Sequence, residues 1–397
     1  MEAYVVDWLS FLGRAFHLIA GIAWIGASFY FIWLDSHLRT PRYADEAQRL
    51  GIGGEVWALH GGGFYRAQKF AVAPPELPET LHWFKWEAYS TWLSGVFLLG
   101  LIYYLGAEVY LIDRTVADLS KPAAIAVGIV FLAGGWLVYD LLCRSPLGRN
   151  EPWLAAAMLA LCTLAAYALT HLFSGRGAFI HFGAMLGTIM AANVLMVIMP
   201  GQREMVKAKA SDRVPDPSHA ARGKQRSVHN TYFTLPVLFT MISNHYAAFT
   251  NARHAWLVLI AISLAGVFVR LFFTFRHRGV LKPSFWAFAI ALLAAVFVAL
   301  RPATGPTAAT APSFAQVRAI VAERCAVCHA DKPTFAGFAS APKNVVLDTP
   351  ERIVAQAQPI HVQTVVTKAM PIGNLTAMTD AERAAIDAWY RAGAKSE

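Results

Sequence analysis

The 397-residue chain is poor in charge and in cysteine. Only 15% of its residues are Asp, Glu, Lys or Arg, against 56% hydrophobic, and the mean hydropathy is +0.44. So little charge excludes an ordinary soluble protein and points to a membrane class. The formal charge of +9 is then no evidence for nucleic acid. What matters is where the basic residues fall beside the apolar runs. The N-terminus, Met1-Glu2-Ala3-Tyr4-Val5-Val6-Asp7, lacks the basic start of a signal peptide. The apolar run behind it is too long for a signal core, so it is expected to be a retained first span. The glycine cluster Gly61–Gly63 has no Gly-Lys-Ser/Thr after it, which excludes a phosphate-binding P-loop.

Two of the four cysteines stand in the stretch Cys325-Ala326-Val327-Cys328-His329. Two cysteines three apart, followed at once by histidine, form the attachment signature of a c-type haem. The thiols bond to the haem vinyl groups, and His329 can reach the iron from one face. A zinc site would need a second ligand pair at its own short spacing. The remaining cysteines, Cys143 and Cys162, lie far upstream in apolar runs and read as inert core thiols.

A membrane span needs about 20 mostly apolar residues. Eight segments qualify: Leu9–Leu34, Tyr89–Gly106, Pro122–Cys143, Pro152–Phe173, Phe179–Met199, Thr231–Phe249, Ala255–Phe275 and Phe285–Leu300. Two long polar loops, Asp35–Glu87 and Gly201–Asn230, interrupt them. Let side A be the side of the N-terminus. Side B then collects most of the basic residues, among them Arg39, Arg66, Lys85, Arg149, Arg203, Arg226 and Lys282. Side A holds only Arg114, Lys121, Arg176 and Arg253. The positive side faces the cytoplasm. Both chain ends are therefore expected outside, in the periplasm of a bacterial inner membrane.

Residues 1–300 are thus expected to form a transmembrane domain, 301–312 a Pro/Thr/Ala linker, and 313–397 a small domain. Ser313 with Gln316, and Thr379 with Glu382, fit capping boxes that start a first and a last helix. This arrangement resembles a class I cytochrome c. The expected fold class is all-α: a bundle of about eight transmembrane helices followed by that domain. The resemblance implies a methionine as sixth iron ligand, in a loop before the last helix. Met370, followed by Pro371, fits, with Met378 as a packing residue. His/Met ligation raises a haem's reduction potential.

Ionisable residues inside a bilayer are functional candidates. His17, His181 and His245 lie on three different spans, all in the outer half. Small residues flank His17 (Gly21, Ser28) and His181 (Gly177, Ala184, Thr188, Ala191) and leave room for a macrocycle. Two of the three are expected to hold a haem b, with Arg14 available for a propionate; His171 is a fourth candidate.

Further motifs lie in the polar loops. Trp57-Ala58-Leu59-His60-Gly61-Gly62-Gly63-Phe64-Tyr65 and Pro75–Glu87 occupy the first. Pro200-Gly201-Gln202-Arg203 and Ser227-Val228-His229-Asn230 bracket the second. With Gly21-Ile22-Ala23-Trp24-Ile25-Gly26, these stretches resemble the bacterial membrane-bound urate oxidases, also termed urate hydroxylases. That family joins a multi-span domain to a C-terminal cytochrome c, and the resemblance covers essentially the whole chain in order. It implies oxidation of urate to 5-hydroxyisourate in purine degradation. Electrons would pass through haem to cytochrome c, then to a downstream cytochrome or terminal oxidase, with no hydrogen peroxide formed.

Urate is a flat monoanion, suited to aromatic stacking and to Arg and Gln hydrogen bonds. A general base must sit within hydrogen-bond reach of it. His60, His82 and His229 are candidates, with Lys85 and Glu87 nearby. Gln202, Arg203 and Asn230, then Arg66 and Trp57, are candidates for binding. Gly61–Gly63 would let the backbone approach the ligand. If substrate instead enters from side A, the site sits beside His17, His181 and His245, and the loops are structural. The alternative function is an electron-transfer subunit that takes electrons from quinol or a partner dehydrogenase.

Overall fold

A computed structural model describes residues 2–301, 312–335, 338 and 340–396, and it is predominantly helical. The first helix, α1 (Glu2–His37), carries an apolar surface: Phe11, Phe16, Leu18, Ile19 and Ile22 are all exposed. A helix dressed this way matches a lipid exterior.

The first polar stretch is not the expected loop. It contains α2 (Ala44–Leu50) and an antiparallel hairpin of β1 (Ile52–His60) and β2 (Gly63–Phe70). His60 pairs with Gly63, so Gly61-Gly62 is a two-residue turn, with φ +56° and +82°. Two positive φ values in such a turn favour glycine. The turn by itself accounts for glycine at 61 and 62.

Glu55 anchors the hairpin. It is buried and accepts from Arg42 N (2.7 Å), Trp57 Nε1 (2.9 Å) and Arg66 Nε (2.7 Å). The Arg42 amide, then the Trp57 indole and Arg66, hold its carboxyl well below the usual range, at about 2. A depressed carboxyl stabilises the fold above its unfolded value of about 4.3, and that stabilisation is lost as pH falls towards 2. Hydrogen-exchange protection across 52–70, taken relative to the intrinsic rate at each pH, is therefore expected to fall on acidification below that value. In Glu55→Gln protection should be low already at neutral pH and should change little in the acid range.

Helix α3 (Trp86–Leu98) packs on α1 and continues through wide turns, Leu99–Tyr104, to the short α4 (Ala107–Tyr110). Then come α5 (Lys121–Arg144), α6 (Glu151–Thr170) and α7 (Gly175–Ala192). Helix α7 runs through the wide turns Asn193–Ile198 directly into α8 (Met199–Ala210). Next are α9 (Pro217–Ser243), the short α10 (Ala247–Thr250), α11 (Ala255–His277) and α12 (Ser284–Ala299). The core lies where α5, α6, α7, α9 and α11 meet, around Phe173, Phe179, Phe182, Leu186 and Leu259. Gly183 of α7 lets α9 approach: a Cβ there would lie 1.9 Å from Thr240 Oγ1.

Each of the eight apolar segments is mainly helical, although Thr231–Phe249 runs past the end of α9 into α10. Among the described residues five helices are long and apolar enough to cross a membrane: Tyr4–His37, Lys121–Arg144, Glu151–Thr170, Gly175–Ala210 and Ala255–His277. Helix α9 falls short because its first half is polar, and α12 because its 16 residues reach only about 24 Å. Helix α3 is short until its wide turns are added. The second expected loop is also corrected. Residues 201–210 and 217–230 are helical, since the α7–α8 and α9 helices extend past their apolar parts.

Residues 302–311 of the expected linker lie outside the described residues. The tail builds its own core from α13 (Phe314–Arg324), α14 (Pro350–Ala355), α15 (Ala357–His361) and α16 (Asp380–Arg391). Both capping boxes form, at Ser313/Gln316 and at Thr379/Glu382. The end helices touch, with Phe314 and Trp389 ring centroids 6.1 Å apart. The tail rests on side A of the bundle. Asn251 Nδ2 donates to Lys368 O (2.6 Å), and Gly373 lies beside the carbonyls of Val109 and Ile112.

Candidate functional site

A cavity of about 2670 Å³ lies between the bundle and the tail. One small-ligand pocket is usually about 300–1,000 Å³, so this space could hold more than one group. Its bundle wall carries Arg14, His17 and Gly21 of α1, Thr91 and Gly95 of α3, and Gly183, Ala184, Gly187 and Thr188 of α7. His245, just past α9, completes that wall. Its tail wall carries Cys325, Cys328, His329 and Met370.

Secondary structure orients these side chains. His17 Nδ1 faces Thr91 O (3.0 Å) and Ser94 Oγ (2.9 Å). A carbonyl only accepts, so Nδ1 carries the proton and Nε2 keeps its lone pair. His329 repeats this, with Nδ1 donating to Val345 O at 2.9 Å. A backbone acceptor on one ring nitrogen fixes the tautomer and leaves the other free for a metal. Met378 is buried among the tail's apolar residues, whereas Met370 is half-buried on the cavity wall. Both face the cavity, and Met370 sits in the looser setting.

Arg383 was not foreseen. It is buried on α16 and donates to Thr364 O, to Met370 O (2.9 Å) and to Asn374 Oδ1 (3.4 Å). It thereby ties down the segment around Met370. Burial pushes its guanidinium below the usual arginine value. The signal was there: Arg383 lies three residues before Ile386 and six before Trp389, on the buried stripe of α16.

His181 does not join His17 and His245. It is fully buried, donates from Nδ1 to Gly177 O (2.8 Å), and lies against Phe173 and Tyr104 rather than on the cavity wall. Its Nε2 and the Tyr104 hydroxyl are both buried without hydrogen-bond partners, and both crowd Gly128. His171 does line the cavity, with Nδ1 on Tyr167 O (2.7 Å).

The loop candidates are placed elsewhere: none of the ten lines the cavity. His60 is exposed at the hairpin end, and His82 is exposed with its ring edge on Phe84. Lys85 lies over Trp86. Glu87 sits in the first turn of α3, with Oε2 buried and unpartnered. Trp57 and Arg66 are cross-strand neighbours bound to Glu55, and Arg66 also pairs with Glu46. Gln202 and Arg203 are exposed on α8.

His229 and Asn230 belong to a buried polar network. His229 contacts Tyr139 OH through Nδ1 (2.8 Å) and Glu151 Oε2 through Nε2 (3.0 Å). Asn193 Nδ2 donates to Tyr139 OH (3.1 Å) and Asn230 Oδ1 (2.9 Å). Asn230 Nδ2 donates to Met190 O (3.0 Å). Arg226 pairs with Asp140 at 2.7 Å, and Arg144 holds the other Asp140 oxygen at 2.6 Å. Asp140 inside an apolar helix was the sequence signal for this network.

The urate oxidase N-terminal family matches residues 3–301. The chain belongs to this family. Comparisons with curated proteins and with solved structures gave no match. Membership makes the chain a urate oxidase-related protein and implies an oxidoreductase. The match covers every helix from α1 to α12 and ends before the tail, so the family's helices supply the bundle wall of the cavity.

Proposed function

We propose that the chain is a membrane-bound enzyme that oxidises urate to 5-hydroxyisourate and delivers the electrons to cytochrome c rather than to dioxygen. Urate and one water give 5-hydroxyisourate, two protons and two electrons; cytochrome c is the acceptor. One observation carries this reading. A single cavity is bounded by helices of the urate oxidase family on one side and by Cys325, Cys328, His329 and Met370 on the other.

Those four residues suit a haem c. Cys325 and Cys328 would hold it covalently, and His329 and Met370 would ligate its iron. His329 already presents the nitrogen this requires. Among the described residues no three His, Cys, Asp or Glu side chains converge as a bare metal ion would need. Bound there, the haem supplies a one-electron centre of raised potential. On the bundle wall, His17 and His245 would hold a haem b and Arg14 one of its propionates. The wall has room: a Cβ added at Gly187 meets nothing within 4 Å.

Side B is proposed to be cytoplasmic, with the tail outside in the periplasm and all eight long helices crossing the membrane. Residues 1–300 then form the membrane domain, 301–312 the linker and 313–397 the cytochrome domain. Substrate reaches the cavity from side A, and the polar residues of side B hold the bundle together. A downstream cytochrome or terminal oxidase accepts electrons from the tail.

Adding urate under argon to the purified, oxidised full-length protein is expected to bring up the reduced haem c bands. Their absence, in protein that dithionite does reduce, would overturn the proposed activity.

A further inference from the structure

Arg14, Arg176 and Arg253 all face the cavity, and among the described residues none of them pairs with a carboxylate. Three carboxylates share the wall. Asp113 is bonded to the amide and hydroxyl of Thr115, Asp380 is paired with Lys368, and Asp7 is the third. Three guanidinium groups without a carboxylate partner stand against Asp7, so among the described residues this wall carries a positive excess that favours an anion.

Arg176 is the most constrained of the three. It sits in the first turn of α7, behind the Ser174 cap, where the helix end adds positive potential. Its guanidinium lies over the Tyr110 ring, 5.8 Å from the centroid. Its Nε and the buried Tyr103 hydroxyl both donate to Asn244 Oδ1, at 3.4 and 3.1 Å. Two donors on one oxygen fix which way the amide points. Among the described residues, Asn244 Nδ2 and both terminal nitrogens of Arg176 are left as donors without partners.

We infer that Arg176, Asn244 and Tyr103 form the subsite for the substrate anion, a flat purine oxyanion held by its carbonyl oxygens and its charge. This rests on the proposed urate chemistry and gives it a place. The geometry suits that class. Arg176 offers a planar fork, Asn244 a further N–H, and Tyr110 an aromatic face on the same wall. Tyr110 belongs to α4, beside the carbonyls that meet Gly373 of the tail, so the subsite lies at the seam between bundle and tail. A haem propionate offers the same carboxylate-like charge, and the test separates the two.

Urate binding is measured by calorimetry under argon on full-length protein reduced beforehand, so that bound urate has no electron acceptor. Arg176→Gln is expected to weaken binding about tenfold or more, the scale of a lost charge-assisted hydrogen bond. Asn244→Asp keeps the side-chain shape but faces the anion with a carboxylate, and should weaken it further. In turnover, Arg176→Gln should raise KM with little change in kcat. Haem content per chain, by pyridine haemochrome, should match the unmodified protein in both variants. Unchanged urate binding in both variants would sink the subsite and leave the urate reaction standing. Loss of haem from Arg176→Gln would assign the arginine to a propionate and also sink it. If the unmodified protein binds no urate, the subsite and the proposed reaction fall together.

Discussion

Cys325→Ala combined with Cys328→Ala is expected to remove covalent haem and to cut urate-dependent reduction of added cytochrome c by at least about a thousandfold, roughly 4 kcal/mol in barrier terms. The reason is topological. Cys325 and Cys328 are the only cysteines on the cavity wall; Cys143 and Cys162 lie in the bundle. No other described residue on that wall carries the thiol that a thioether bond to a haem vinyl group requires. A single lost hydrogen bond would cost only about tenfold, so the size of the effect separates loss of a redox centre from loss of a contact. Haem-dependent peroxidase staining on a denaturing gel reads the covalent bond directly. Urate binding to the reduced protein should survive, because its proposed ligands come from the bundle. Full cytochrome-linked activity in protein without covalent haem would contradict the electron route.

Asp140→Ala is the second large effect, and it acts on stability. Arg226 lies in the bundle with 4% side-chain exposure, and Asp140 is its only carboxylate partner among the described residues. Removing one member of a buried pair leaves the other charge uncompensated, at a cost of about 3–5 kcal/mol. Thermal unfolding in detergent should register this as a fall in Tm well beyond that of a surface substitution. Replacing both residues with apolar ones of similar volume should recover much of the loss, since the pair's attraction is largely offset by its desolvation. If Asp140→Ala unfolds at the unmodified temperature, the network is not holding the bundle. His229 and Asn230 sit in the same network, so changes there should lower stability more than they alter KM for urate.

Much of this was legible in the chain because it is local. Ser313/Gln316 and Thr379/Glu382 are caps three residues long, and covalent geometry alone brings their partners together. The apolar runs are equally local. A helix satisfies the backbone of such a run within the run itself, and each run is mainly helical. Local signals failed where polar residues continued a helix. Residues 201–210 read as a loop because they are charged, yet they extend the preceding helix without a break. The hairpin was missed because Gly61-Gly62 read as a ligand contact rather than as a turn between two short strands.

The histidines show the same boundary more sharply. His17, His181 and His245 look alike in sequence, each a polar residue near the side-A end of an apolar segment. Only packing distinguishes them. Helix rotation turns His17 into the cavity and His181 towards Gly128 and Tyr104. The loop residues grouped as a substrate site are separated in the same way, between an exposed hairpin and a buried network.

What the sequence determined by itself was the set of apolar helices, the tail with its capped ends, and the spacing of Cys325, Cys328 and His329. Each depends on residues within a turn or a span of one another. Tertiary structure alone decided that Cys325–His329 opens onto the same cavity as His17, and that Arg176 and Asn244, 68 residues apart, meet there. Such meetings depend on which face each helix turns to its neighbours. That is settled by packing across the whole bundle, and no spacing along the chain records it.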